Sequence, residues 1–265
     1  MKILSSAPSA TRTLLAAVLS AVVLTVLLTA VLVYAPTQVA PTAVGTRRLP
    51  IYCTDRDNKV VSLTFDAAWG DEDTPLLIEI LNRYDVKATF FVVGEWAERC
   101  PDSVKALHEA GHEVMNHSDT HPHMPALTKE AMLEELHRCN DTIEALTGVR
   151  PLLHRFPYGD YSDSAVEAVE SLGMYAIQWD VDSLDWKDLS AEDITSRVTS
   201  RVRSGSIVLF HNAALHTPEA LPAIIEHLKA EGYTFCKASE MIYRDGYTIN
   251  HEGRQCRQEN EPTSP

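Results

Sequence analysis

The sequence of 265 residues predicts an α/β protein: a closed or nearly closed barrel of about seven β/α units, preceded by one membrane-spanning helix. Three observations carry this reading. Beyond Val60, short runs rich in β-branched and aromatic residues alternate with helical stripes; residues Leu14–Ala35 carry no charge; and titratable residues recur where the strands end. An open doubly wound sheet fits the same alternation and stays open as the second architecture.

Taken in order, residues 1–12 form a short tail and 13–35 a membrane anchor, since ~20 apolar residues suffice for a helix to cross the hydrocarbon. A cleaved signal peptide is the rival. Its apolar region normally runs ~7 to 15 residues, and here Ala35 and Ala40 are each followed by Pro. Lys2 and Arg12 precede the span and Arg47 and Arg48 follow it, a near tie for orientation by charge. Residues 36–59 read as a linker, because "PTQVAPTAVGTRRL" has Pro and Gly but no apolar period.

Residues 60–243 form the main domain. Its strand-like runs are "VVSLTF", "ATFFVV", "HEVMNH", "YAIQWD", "SIVLFH" and "YTFC". Between them lie one-faced helical stripes: Leu77, Ile80, Leu81 and Tyr84; Met132, Leu136, Cys139, Ile143 and Leu146; Ile194, Val198 and Val202; Leu221, Ile224, Ile225 and Leu228. Gly111, Gly148, Gly173 and Gly232 stand where helices should stop. The polar stretch 244–265, ending "ENEPTSP", reads as a disordered tail.

A formal net charge of −14 without a basic tract excludes nucleic acid and anionic lipid as main partners. Five cysteines without a C-x-x-C pair give no zinc cluster or redox motif. A disulfide such as Cys100 with Cys139 is permitted outside the cytoplasm, and buried free thiols are the favoured reading.

In both architectures ligands sit at the carboxyl ends of the strands. Asp66, His117, Arg155, Asp180, Asp182 and His211 all follow strand-like runs. Within "NHSDTHPHM", His117 and His121 are spaced to share one divalent ion, with His123 close by; two satisfied histidines would give the same pattern.

"LTFDAAWG", "NHSDTHP", "RFPYG", "DSLDW" and "IVLFHN" occur in the order and spacing of the polysaccharide deacetylases with a NodB-homology domain, which residues 60 to 242 resemble. The resemblance implies a distorted (β/α)7 barrel and a hydrolase that removes acetyl groups from peptidoglycan, chitin or related glycans. It implies Asp66 as the base that activates water, Arg155 as its orienter, and His117 and His121 as ligands of a divalent metal. Zinc is the first candidate, with cobalt and manganese behind it. Asp185 is implied to tune His211, the acid that protonates the leaving amine; the Tyr158 amide faces the oxyanion and Trp186 lines the groove. Asp66 should then have a lowered pKa and His211 a raised one.

The chain departs from the family pattern at Ala67, where a second Asp usually supplies the third metal ligand, and at Asn212, usually Asp. Asp71, Asp73 and His123 are the nearby substitutes for that ligand, and spacing assigns none of them. Trp69 and Trp179 suit packing as well as sugar stacking. The expected molecule is a monomeric, single-pass protein of the cell membrane, its domain facing an N-acetylated glycan outside the cytoplasm. The alternatives are a glycan-binding pseudoenzyme lacking the third ligand and an O-acetyl esterase.

Overall fold

A computed structural model describes residues 10–34 and 47–258. The chain divides into two units, Met1–Thr46 and Arg47–Pro265, each described by itself. In the first, helix α1 spans Ala10–Tyr34, with Leu14, Leu15, Leu19 and Leu24 each about two-thirds exposed. Among the described residues no helix is long and apolar enough to cross a membrane. The expected tail at 1–9, the linker at 35–46 and "ENEPTSP" lie outside the described residues.

Among the described residues the second unit has eleven strands: β1 (Cys53–Thr54), β2 (Val60–Ala67), β3 (Thr89–Val92), β4 (Glu113–Asn116), β5 (Leu153–His154), β6 (Tyr175–Ala176), β7 (Val181–Asp182), β8 (Ser206–His211), β9 (Thr234–Phe235), β10 (Tyr247–Ile249) and β11 (Arg254–Arg257). Between them run α2 (Thr74–Arg83), α3 (Gly94–Arg99), α4 (Pro101–Glu109), α5 (Lys129–Thr147), α6 (Asp163–Ser171), α7 (Ala191–Thr199), α8 (Thr217–Ala230) and α9 (Ala238–Met241). Strands β8, β2, β3, β4, β5 and β6 lie side by side in parallel. A one-residue bridge, Ile51 to Ile177, and the antiparallel pairing of Cys53 with Ser206 carry the ladder back to β8. Single-residue pairings thus link β6 back to β8, while β7 takes the other half of the same edge of β8.

The helical stripes bury as expected. Thr128 caps α5 by accepting from the Ala131 amide at 3.3 Å, and Gly148, at φ 74, ends it in the left-handed region that glycine adopts without a side-chain clash. Along α8, Leu221, Ile224, Ile225 and Leu228 are buried, each contributing about 1.5–3 kcal/mol of hydrophobic stabilisation. On β2, Val61, Leu63, Phe65 and Ala67 join the layer between sheet and helices, with Phe65 stacked on Phe90 and Phe210. The alternate residues Ser62, Thr64 and Asp66 take the other face, as strand geometry requires. Phe91, Met115 and Ile207 fill the interior.

Two expectations change. Residues 47–59 belong to the folded unit, because Ile51 and β1 close the barrel. The stretch 244–258 is a hairpin of β10 and β11 joined to β1, its Gln255 fully buried, so it is ordered against the domain. The favoured reading of the cysteines holds in that all five thiols are free, with Cys53 and Cys139 buried and Cys139 donating to the Val92 carbonyl.

Candidate functional site

Asp66 and His211 are register partners at the ends of β2 and β8, adjacent parallel strands, so both reach the same end of the barrel. Arg155 follows β5 and is fully buried. Its Nη1 donates to Asp66 Oδ1 at 2.8 Å and its Nη2 to the Gln178 carbonyl at 3.1 Å. Phe91 lies under the guanidinium at 4.2 Å, fixing its plane. Burial alone would push the Asp66 carboxyl up, but the charge of Arg155 above all, with that of His211 and the hydrogen bond from Arg155, outweighs it and holds the group below the usual carboxylate range.

The opposite shift occurs on His211. Its Nδ1–H donates to Asp185 Oδ1 at 2.8 Å, which turns Nε2 away from that carboxylate. Asp185 is fully buried; its Oδ2 accepts from the His211 amide at 2.8 Å and from the Thr217 hydroxyl at 2.7 Å. Burial would lower the imidazole pKa, and the bond to Asp185 with its charge raises it overall. Thr217, the first residue of α8, carries no motif of its own; only the fold reveals that it steadies the carboxylate.

The turn after β4 carries the paired histidines. Asn116 is its hub: its Nδ2 donates to the Leu136 carbonyl and to Asn140, while its Oδ1 accepts from the Ser118 amide and from His154. This network supports the positive φ of Ser118, and Ser118 Oγ in turn accepts from the His121 amide. Gly94 must be glycine, since a Cβ there would meet Asp119 Oδ1 at 2.2 Å. His117 Nδ1–H donates to the Arg155 carbonyl at 2.8 Å, so its Nε2 lone pair points toward Asp66 Oδ2, 3.5 Å away. Burial lowers the pKa of both rings, that of His121 to about 4, keeping them neutral.

A neutral imidazole lone pair facing a carboxylate is satisfied by a cation. The backbone bond on the opposite ring nitrogen is the second support typical of metal-binding histidines. His117 and His121, ring centroids 5.0 Å apart, fit a divalent ion as two of its ligands. Among the described residues no group of three His, Cys, Asp or Glu side chains is arranged to hold a metal. The three nearby substitutes are engaged elsewhere. Asp71 accepts from Ser103, Asp73 from the Ala213 amide, and His123 pairs with Asp160 while stacking on Tyr158.

These groups open on a cleft of about 470 Å³, with Asp66, His117, His121 and His211 at its floor. Trp69, Tyr158 and Trp186 are each more than half exposed at its rim. Tyr158 holds φ 60, and His121, Leu184 and Ala213 also take positive φ nearby, a concentration of backbone strain expected of a working site. Asp182 lines the cleft, whereas Asp180 does not. Asp180 accepts from Ser206 and from the Ile207 amide and pairs with Arg203, at the start of β8, so it is a structural anchor.

A profile described as "Polysaccharide deacetylase" matches residues 54–177. A peptidoglycan-N-acetylglucosamine deacetylase of Bacillus cereus is 32% identical over 186 residues, covering 69% of this chain and 68% of its own. An uncharacterised protein of Bacillus subtilis is 32% identical over 193 residues, covering 73% of this chain and 60% of its own, so this chain spans less than two-thirds of that relative. Among solved structures, the wild-type form of a CE4 family pseudoenzyme from Bacillus anthracis superposes with TM-score 0.70 at 33% identity, covering 80% of this chain and 73% of that one. A mutant of that pseudoenzyme, described as having restored enzymatic activity, gives TM-score 0.71 at 37% identity, covering 74% of this chain and 71% of that one.

Proposed function

We infer that this chain, which belongs to the polysaccharide deacetylase family, removes N-acetyl groups from a peptidoglycan-like or chitin-like glycan. The observation that carries the reading is the pair at the barrel mouth: Asp66, bonded to Arg155 with its pKa lowered, and His211, bonded to Asp185 with its pKa raised, as register partners on neighbouring strands. Amide hydrolysis consumes one water, and its two proton transfers need opposed groups. Asp66, oriented by Arg155, takes the proton of the attacking water. His211, held by Asp185, gives its proton to the amine as the carbon–nitrogen bond breaks, leaving acetate and a free amino sugar. The Tyr158 amide is the proposed donor to the developing oxyanion, and Trp186 the proposed groove wall. A divalent ion at His117 and His121, zinc by donor chemistry, would polarise the acetyl carbonyl and acidify water when bound.

The test is acetate release by the full chain from N-acetylglucosamine glycans, with and without added zinc, cobalt or manganese. Release confirms the reading, and no release under any of these conditions rejects it. The second reading, a glycan-binding pseudoenzyme, is favoured by one observation: Ala67 offers no donor, and among the described residues no substitute stands beside the two imidazoles. An Ala67→Asp variant that gains acetate release absent from the wild type would establish it.

Membrane attachment is a separate proposal that rests on the sequence, with the uncharged run Leu14–Ala35 as a single-pass anchor and the domain outside the cytoplasm. Its support is the uncharged run Leu14–Ala35 and the exposed leucines of α1, apolar surface that calls for lipid or a partner. Recovery of the full chain in the soluble fraction after cell breakage would remove it.

A further inference from the structure

The loop between β2 and α2 is clasped from the end of β8 by one side chain. Asn212 is buried, and its backbone amide donates to the Asp66 carbonyl at 3.0 Å. Its side-chain oxygen accepts from the Ala68 amide at 3.3 Å, while its Nδ2 donates to the Gly70 carbonyl. The two bonds grip the backbone on either side of Trp69. The same segment is braced by Trp96 Nε1–H, which also reaches the Gly70 carbonyl at 3.2 Å, and by Asp73, which accepts from the Ala213 amide at 2.9 Å. Trp69 makes none of these bonds. Its indole stands 58% exposed in the cleft, edge-on to His121 with ring centroids 5.7 Å apart.

An indole this exposed buries less than half of its surface, so the clasp on the backbone at either side of it sets much of its placement. A carboxylate at position 212 could still accept from Ala68, but it would turn a second acceptor toward the Gly70 carbonyl. The amide is therefore the group this loop requires. We propose that Trp69 is a substrate-positioning residue, a stacking wall for a sugar ring beside the His121 side of the cleft, and that Asn212 is the positioning residue that holds it there. The inference deepens the deacetylase reading, resting on it for the ligand's chemistry, an N-acetylated glycan. Sugar rings present an apolar face that an indole covers, and the rigid ring costs little ordering entropy.

The probe is the tetramer of β-1,4-linked N-acetylglucosamine, titrated calorimetrically into the full chain, with KM and kcat for acetate release measured alongside. Trp69→Ala should weaken Kd and raise KM about three- to tenfold with kcat less affected, and Trp69→Phe should recover most of the loss. Asn212→Asp should weaken binding by a similar factor, but by less than about twofold once Trp69 is already Ala, because the two act as one unit. Undiminished affinity in Trp69→Ala, a full Asn212→Asp loss persisting in the Trp69→Ala background, or no binding by the wild type would each overturn the proposal. Trp69→Ala alone decides if Asn212→Asp fails to fold, since the indole is exposed. A chain that binds through Trp69 yet releases no acetate sinks the deacetylase reading and spares this one. Acetate release with Kd and KM indifferent to Trp69 does the reverse.

Discussion

Asp66 and Arg155 meet at 2.8 Å in a setting where the guanidinium is fully buried and the carboxylate nearly so. Two strands far apart in sequence bring them together, and among the described residues neither has another partner of opposite fixed charge at that distance. Replacing Arg155 by Met should cost about 3–5 kcal/mol, because a buried carboxylate is left without its counter-charge. Lys should rescue little, as one ammonium cannot hold both Asp66 and the Gln178 carbonyl in the fork Arg155 uses. Urea unfolding of the three proteins measures this.

Asp66→Asn should lower kcat about 10²- to 10⁴-fold, the usual contribution of a positioned base, while glycan binding persists. Paired acetate-release assays and calorimetry check it; a variant with kcat within tenfold of the wild type would remove Asp66 from the base role.

The rate against pH should be a bell. Its acid limb reflects Asp66, lowered from the carboxylate range, and its alkaline limb His211, raised above the ordinary imidazole value of about 6.5. Asp185→Asn withdraws the charge that raises His211, so the alkaline limb should move to lower pH. The same linkage acts on stability: the contribution of His211 is present below its unfolded pKa and is lost as pH rises through its folded one. Denaturation midpoints should therefore fall across that window in the wild type and fall less in Asp185→Asn.

Zinc should raise the melting temperature of the wild type, and His117→Ala or His121→Ala should each abolish the rise. Ligand at 100 times its dissociation constant stabilises by about 2.7 kcal/mol, well within the reach of thermal unfolding. This measurement reports on the ion without relying on turnover.

Much of the site was legible because its signals are local. Asp66 ends an apolar strand, and His117 and His121 share one short turn, so the chain itself places them. The helical stripes of α5 and α8 were equally plain, since burial repeats every turn. The pairing of Cys53 with Arg254 was not, because two-residue strands have no periodicity and their partners lie at opposite ends of the chain. Asp180 was misplaced for a related reason. It follows an apolar run as Asp66 does, but the chain leaves β6 after Ala176 and begins β7 at Val181, which puts Asp180 beside Ile207 at the far end of β8. Thr217 belongs to a helix facing the sheet, and no pattern in its own neighbourhood could have linked it to Asp185.

The seam at Ile51 and β1 bears on how the chain can be cut. An excised cassette starting at Val60 and stopping near residue 243 would follow the domain bounds expected from sequence and still strip the closing stave, leaving Ser206 and Ile177 without their neighbours. Newly bared ladder edges invite pairing with other chains. Recombinant versions meant to stay dispersed should begin before Ile51 and run through Gln258.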